Sequence, residues 1–193
     1  MKKFVFAILF LAGIHLSYGQ ALTQADCDRL APYLNKEDWK SAFKESSKLL
    51  KANETDSSDF HAMILYINLI SAAGMVTETQ MSFKELEKMV SKYEGQRIIM
   101  MARPVTTRDG VLGKTKFSAS ETSYEAFTSV TNSKKLNILS FEKFIIKDRI
   151  NINELQDTTV NCGGILEKIE TNPSMSINWV LRITVKDAFV RKT

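Results

Sequence analysis

The chain has 193 residues, of which 44% are apolar and 25% charged, with 8 glycines, 3 prolines and 2 cysteines. This is an ordinary globular composition, and it excludes collagen, low-complexity disorder and a disulfide-dense miniprotein. The net charge of +4 is unevenly divided, since residues 20–94 carry 9 basic and 12 acidic side chains, whereas residues 95–193 carry 15 and 10. The difference in sign is compatible with two structural units, and equally with ordinary solvated faces.

The first 19 residues have the pattern of a secretory signal peptide. Lys2 and Lys3 precede an apolar run of 13 residues, and Ser17 and Gly19 are small residues placed for a cleavage before Gln20. The run is shorter than the roughly 20 residues that a membrane-spanning helix needs. We therefore expect an exported protein, periplasmic or extracellular, that is soluble and does not span the membrane after the signal is cleaved.

Residues 20–95 are predicted to form helices. Apolar residues recur at intervals of three and four after Thr23, after Asp38 and after Ser82, and each of these residues is typical of a helix N-terminus. Residues 60–75 are apolar on nearly all sides, which predicts a buried central helix. The expected arrangement is four helices in two hairpins.

Several residues of this half match positions at which paired helices of a known repeat pack closely. Tyr33, Trp39 and Ala42 occupy an aromatic, an aromatic and a small position, and Phe60 begins the next unit at about the 34-residue period. The half therefore resembles a tetratricopeptide-like array, although Ile64 stands where a small residue is usual. The resemblance implies a degenerate helical module that depends on the other half, because a self-supporting array usually needs at least three repeats.

From residue 96 onward the pattern is that of strands. An Asp-Gly pair at Asp109 and Gly110 predicts a turn joining a hairpin. Gly163 and Gly164 interrupt the phase of a later strand and predict a bulge. The strand over residues 136–146 is apolar on both faces and is expected at the centre of the sheet. Strands are predicted over 98–102, 124–131, 136–146, 160–169 and 177–185, with a polar and partly helical stretch over 148–157.

The coiled strand with its two glycines, over residues 160–169, and the long strand over residues 179–190 resemble parts of a small OB-like β-barrel. A β-sandwich gives the same signature, so both remain open. The predicted fold class is α+β, with repeat-like helix hairpins followed by a small antiparallel β-barrel (OB-like) or a β-sandwich. The predicted division is a signal peptide over 1–19, a tetratricopeptide-like module over 20–95 and a β domain over 96–193.

Imidazole and thiol chemistry is scarce after the signal peptide, where His61, Cys27 and Cys162 are the only histidine and cysteines. A structural zinc site needs four closely spaced ligands, and Ser or Cys nucleophiles need a base. His61 lies in an apolar helical run, so we expect no catalytic residue, no metal and no cofactor. In an oxidising compartment Cys27 and Cys162 can form a disulfide, and two separately buried thiols are the alternative.

The favoured function is an exported, non-enzymatic binding or interaction module that recognises a protein, a peptide or an envelope component. The helical groove and the barrel rim are the expected surfaces. Nucleic acid is not an expected partner, because an exported protein does not meet the cytoplasmic pool. Basic candidates for binding on the β half are Lys134, Lys135, Lys143, Lys147 and Arg149.

Two alternatives remain. One is a purely structural envelope subunit. The other is a hydrolase of envelope glycan, which needs only a pair of carboxyl groups at a suitable separation. An inward-facing pair in a cleft is the feature that would favour it. The candidate carboxylates in the β half are Glu142, Asp148, Glu154, Asp157, Glu167 and Asp187.

Overall fold

The structure, a computed structural model, describes residues 21–120, 123–133, 137–174 and 179–193. The predicted signal peptide and the candidate residues Lys134 and Lys135 lie outside the described residues. Helices come first and strands follow, so the α+β class is confirmed. The change from helices to strands falls between Val90 and Arg97.

Side-chain caps fix the residues at which the helices begin, as predicted for Asp38 and Ser82. The Asp38 carboxylate accepts a hydrogen bond from the Ser41 amide at 3.1 Å, and Ser82 forms a capping box with Glu85. These contacts satisfy backbone donors that have no partner within the helix. The helices are α1 (Gln24–Asn35), α2 (Trp39–Ala52), α3 (Asp59–Thr77) and α4 (Phe83–Val90).

Helix α3 is the central buried helix, as predicted. Every residue from Ile64 to Val76 is buried, with α2 on one side and β1, β5 and β7 on the other. The helix is long and apolar enough to cross a membrane, with a mean hydropathy of 1.5, but 78% of that window is buried within the protein. Helices and strands therefore share one apolar core.

The strands form a single sheet in the order β1-β6-β7-β5-β4-β3, and β2 also pairs with β6. The central position predicted for β5 is confirmed, since it lies between β4 and β7. A short 3-10 helix, Ile152–Leu155, falls within the stretch predicted to be partly helical. The strands are β1 (Arg97–Ile99), β2 (Arg103–Pro104), β3 (Lys116–Ala119), β4 (Tyr124–Thr131), β5 (Ile138–Ile146), β6 (Thr159–Thr171) and β7 (Trp179–Lys192).

The sheet differs from the antiparallel arrangement expected from the sequence. Strands β5 and β7 are parallel, because the chain leaves β5, crosses to β6 and returns antiparallel to β6 as β7. The described strands belong to one sheet rather than to the two sheets of a sandwich. This sheet is open, with β1 and β3 at its edges.

The prediction of a hairpin at Asp109 and Gly110 is wrong. Gly110 has the positive φ of a turn, at 69°, but the flanking residues Val105 and Thr115 form a parallel bridge rather than an antiparallel ladder. The reason is that β2 pairs with β6 whereas β3 pairs with β4. Residues 106–114, which we term the connecting loop, therefore pass between two different parts of the sheet.

The glycine bulge predicted in β6 is confirmed, since the register of β6 against β7 shifts between Gly163 and Ile165. A Cβ on Gly163 would lie 2.7 Å from Ile99 Cγ1, and a Cβ on Gly164 would lie 2.6 Å from the Lys186 carbonyl oxygen. Both distances are too short for a side chain. Glycine is thus required where β1 and β7 close on β6.

Candidate functional site

The basic residues predicted as binding candidates are spread along β5 and beyond it. Lys143 lies on the exposed face of β5, where its Nζ is 2.8 Å from Glu125 Oε1. Lys147 and Arg149 are exposed beyond the end of β5, and Arg149 donates to the Tyr124 hydroxyl at 3.3 Å. The structure therefore separates Lys143 from the other two instead of bringing all three into one site.

A hollow of about 310 Å³ lies between the connecting loop and the outer face of β3, β4 and β5. We term it the loop groove. Val111 and Leu112 line it from the loop, and Phe127 and Phe141 line it from the sheet. Apolar side chains thus face one another across the hollow, as is usual in sites that bind an organic ligand.

Phe127 is the residue that distinguishes the floor of the groove. Its side chain is 40% exposed. Among the described residues, Phe127 and Met101 are the two large apolar side chains that are exposed. The strand register places it between Lys116 on β3 and Lys143 on β5. The Lys143 Nζ lies 5.8 Å from the centre of the Phe127 ring. An aromatic side chain is therefore flanked by two cations on an open face.

The positive charges around the groove are only partly neutralised. Lys116 forms an ion pair with Asp109, and Lys143 forms one with Glu125. Among the described residues, no carboxylate lies within ion-pair distance of the Arg108 or Lys114 side chain. Both residues belong to the connecting loop and lie at the groove. The rim therefore presents two cations without an ion-pair partner among the described residues, and Asp157 is the acidic residue of the adjoining hollow that they also line.

A second hollow of about 440 Å³ adjoins the loop groove. The two share Arg108, Val111 and Lys114, and the second is completed by Gln156 and Asp157 beyond the 3-10 helix. The connecting loop is thus accessible from two sides, and its two basic side chains face both hollows.

Directly behind the groove floor lies a fully buried polar cluster. The Arg103 Nη1 donates to Thr128 Oγ1 at 2.8 Å and to the Ser129 carbonyl at 2.6 Å, and both of these residues line the groove. The Nη2 donates to the Tyr66 hydroxyl, and the same Nη1 lies 3.5 Å from Glu142 Oε2. The cluster therefore joins α3 to the strands that carry the groove.

Burial governs the ionisation of this cluster. Removal from water raises the pKa of the Tyr66 hydroxyl well above its ordinary value and also raises the pKa of the Glu142 carboxyl. Burial acts against the charged form of Arg103, but the adjacent Glu142 and Tyr66 raise its pKa above the usual value. Arg103 therefore remains a cation, and Tyr66 remains a neutral hydroxyl that donates to Glu142.

Of the six carboxylates considered for glycan hydrolysis, one is buried and five are exposed. Glu142 is buried beside Arg103, and its Oε2 receives no hydrogen bond from the described residues. The other five are exposed at separate places along the β half. The exposed five are Asp148, Glu154, Asp157, Glu167 and Asp187.

The cysteines and the histidine lie apart from the loop groove. Cys27 on α1 and Cys162 on β6 are free thiols, and burial raises their pKa values to about 11 and about 12. His61 lines a third hollow of about 430 Å³ beside α2 and α3, and burial lowers its pKa. Among the described residues, no group of three His, Cys, Asp or Glu side chains is placed to hold a metal ion.

Sequence patterns alone do not single out Arg108 or Phe127. Phe127 follows a small buried residue and precedes a buried threonine in β4, so an aromatic at an outward position is the only local signal. Arg108 becomes significant only because the connecting loop crosses the sheet.

Comparison with protein-family models, with curated proteins and with solved structures gave no match.

Proposed function

We propose that the protein is a non-enzymatic binding module and that the loop groove is its recognition surface for a protein, a peptide or an envelope component. The observation that carries this proposal is the exposure of Phe127 on the floor of a concave groove with the cationic rim of Arg108 and Lys114. Exposed aromatic side chains in concave surfaces, surrounded by a few polar groups, are typical of recognition sites.

The proposal includes export through cleavage of residues 1–19. N-terminal sequencing of the protein recovered outside the cytoplasm tests it directly. We expect the processed chain to begin at Gln20, and recovery of the unprocessed chain in the cytoplasm would contradict export. The expectation that nucleic acid is not a partner depends on this location.

We further propose that the β half is OB-like. The parallel pairing of β5 with β7, and the short helix before β6, support this reading. The bridge between Val105 and Thr115 supports it as well, because it brings the end of β2 to the start of β3. If β1, β2 and β3 together correspond to the first strand of an OB fold, then β4 and β5 correspond to its second and third strands. Ligands of OB folds bind across that face.

For the helices we keep the proposal of a degenerate tetratricopeptide-like module. The support is close packing between the two hairpins, with Trp39 of α2 lying directly against Gly74 of α3. This module docks on the sheet through α3, on the side away from the exposed face of Phe127. The helices therefore brace the strands that carry the groove.

Site-specific photo-crosslinking in the native cell tests the proposed surface. A photoreactive phenylalanine analogue at position 127 is compared with the same analogue at Met101, which is 37% exposed and lies outside the groove. We expect an adduct from position 127 only. No adduct from position 127, or equal adducts from both positions, would contradict the proposal. A third analogue at Lys51, beside the hollow of α2 and α3, reports on the helical groove.

A further inference from the structure

We propose that the loop groove binds an extended, acidic peptide segment whose carboxylates meet Arg108 and Lys114 and whose apolar side chain contacts Phe127. This inference rests on the proposed function and deepens it by naming the class of ligand. Three features of the groove support it: the charge of the rim, the apolar floor and the available space.

The positive charge of the rim favours a negatively charged ligand. Asp109 already neutralises Lys116, and Glu125 neutralises Lys143, so the groove provides acids for its strand lysines. The loop cations Arg108 and Lys114 have no acid in the described part of the chain within ion-pair distance. They lie in the same loop and line the same two hollows. A ligand with carboxylates at intervals completes this arrangement by charge complementarity.

The apolar floor favours an apolar amino-acid side chain over the ring of a sugar. Val111 and Leu112 lie on one side of the hollow, with Phe127 and Phe141 on the other. This lining encloses a leucine- or phenylalanine-sized group from two sides, and burial of such a group is favourable because it removes apolar surface from water. Sugars prefer hydrogen-bonding groups, and of the three small hydroxyls that line the groove, those of Thr128 and Ser129 already accept hydrogen bonds from Arg103 and from the Gly113 amide.

The surroundings of Phe127 also argue against a stacked nucleobase. Single-stranded nucleic acids bind by stacking their bases on open aromatic faces. The Lys143 Nζ lies over the Phe127 ring at 5.8 Å and is held there by Glu125 at 2.8 Å. A base would have to displace this ion pair, whereas a peptide side chain can contact the exposed part of the ring.

The two adjoining hollows fit an extended segment. Their volumes are about 310 Å³ and about 440 Å³, and the shared residues Arg108, Val111 and Lys114 lie between them. An apolar side chain placed over Phe127 leaves the neighbouring residues of the same segment beside Arg108 and Lys114. Acidic residues next to the apolar one then lie within reach of both cations.

Fluorescence anisotropy with the purified protein tests this inference. The probe is a dye-labelled decapeptide in which Glu and Asp alternate with Leu and Phe. Its counterparts replace the acids by Gln and Asn, or the apolar residues by Gly. We expect saturable binding of the acidic apolar peptide. The double variant Arg108→Gln, Lys114→Gln should weaken it by about tenfold or more, and the affinity of the parent protein should fall as salt is raised.

Matched variants separate the groove from general charge effects. Lys40→Gln with Lys48→Gln removes the same charge from the exposed face of α2 and should leave the affinity unchanged. Phe127→Ser should weaken binding, whereas Met101→Ser should not. Circular dichroism of each variant verifies that it is folded.

The outcomes distinguish this inference from the proposed function. Equal binding of the amide peptide, lost in Phe127→Ser, overturns the acidic ligand and supports the groove as a binding surface. Tighter binding of oligothymidylate or polygalacturonate than of the peptide, lost in the Arg108 and Lys114 variant, overturns the peptide class while retaining the groove. No binding of any probe overturns the inference, and crosslinking at position 127 then decides the proposed function separately.

Discussion

Tyr66 on α3 donates a hydrogen bond to Glu142 on β5, with 2.7 Å between the two oxygens, although the two residues are 76 positions apart in the chain. Arg103 contacts both residues and reaches Thr128 at the groove floor. This contact therefore links the helical layer to the strand that carries Phe141 and Lys143. It also shows that the helices and the candidate binding surface are not independent.

Removing the Tyr66 hydroxyl should destabilise the whole fold. In Tyr66→Phe, buried Glu142 loses its donor and Arg103 loses an acceptor. We expect the free energy of unfolding to fall by about 1–3 kcal/mol, because the remaining polar groups stay buried without that partner. Urea unfolding measures the change. The control is Tyr33→Phe on α1, where the described residues give the hydroxyl no hydrogen bond, and an equal loss in both variants would refute the role of the contact.

Removing Arg103 should be more harmful than removing the whole ion pair. Arg103→Met leaves Glu142 as a buried charge without its cation, which should cost about 3–5 kcal/mol at neutral pH. The double variant Arg103→Met, Glu142→Leu should recover most of that loss in urea unfolding. A double variant less stable than the single one would contradict this interpretation.

The loss in Arg103→Met should also depend on pH. Burial raises the folded-state pKa of Glu142 above its ordinary value of 4.5, so the fold prefers the neutral carboxyl. Below pH 4.5 the group is protonated in both states and the penalty of the variant should shrink. The penalty should grow as the pH rises through the folded pKa. A penalty that stays constant between acid and neutral pH would oppose this assignment.

Asp59 provides a surface counterpart whose pH dependence has the opposite sign. Its carboxylate pairs with Arg191 and lies 2.6 Å from Arg97, and these contacts lower its pKa below 3.8. The stabilisation should be present above pH 3.8 and lost as the pH falls through the folded pKa. Because the side chain is 36% exposed, Asp59→Asn should cost no more than about 1 kcal/mol at neutral pH.

Thermal unfolding of the Asp59→Asn variant at pH 7 and pH 2 measures this effect. The exposed residue Asp148 offers a control, since Asp148→Asn removes a carboxylate that has no ion pair in the described part of the chain. The melting temperatures of the two variants should differ at pH 7 and converge at pH 2. A difference that persists at pH 2 would show that charge pairing is not the cause.

Gly74 is needed because Trp39 packs directly on its backbone. A Cβ at this position would lie 2.7 Å from Trp39 Cε2. Alanine favours helix by up to about 1 kcal/mol over glycine, but overpacking costs about 1–3 kcal/mol. We therefore expect Gly74→Ala to lower the free energy of unfolding. In a Trp39→Leu background the same change should be neutral or stabilising, and an equal loss in both backgrounds would exclude the clash.

The parts of the fold that depend on neighbouring residues could be predicted from the sequence. The caps at Asp38 and Ser82, the buried α3 and the bulge at Gly163 all follow from short-range chemistry. Strand β4 has the predicted bounds, 124–131, because aromatic and branched residues concentrate there. Each of these features is determined by residues within a few positions of one another.

The order of the strands and the loop groove could not be predicted, because they depend on distant pairings. An Asp-Gly pair satisfies the local rule for a hairpin, yet β2 and β3 bond to different strands and the turn becomes part of a crossing loop. The local pattern of β4 places Phe127 at an outward position, but the loop that makes a groove above it comes from a distant pairing. Likewise, Glu142 has no local signal for its partners Tyr66 and Arg103.

Amide hydrogen exchange of the protein, with and without a saturating amount of the acidic decapeptide, tests the binding surface most directly. We expect slower exchange within the connecting loop, in β3, and in β4 around Phe127, with the amides of α2 unchanged. Protection centred on the hollow beside His61, or protection nowhere in the loop groove at saturation, would contradict the assignment of this surface.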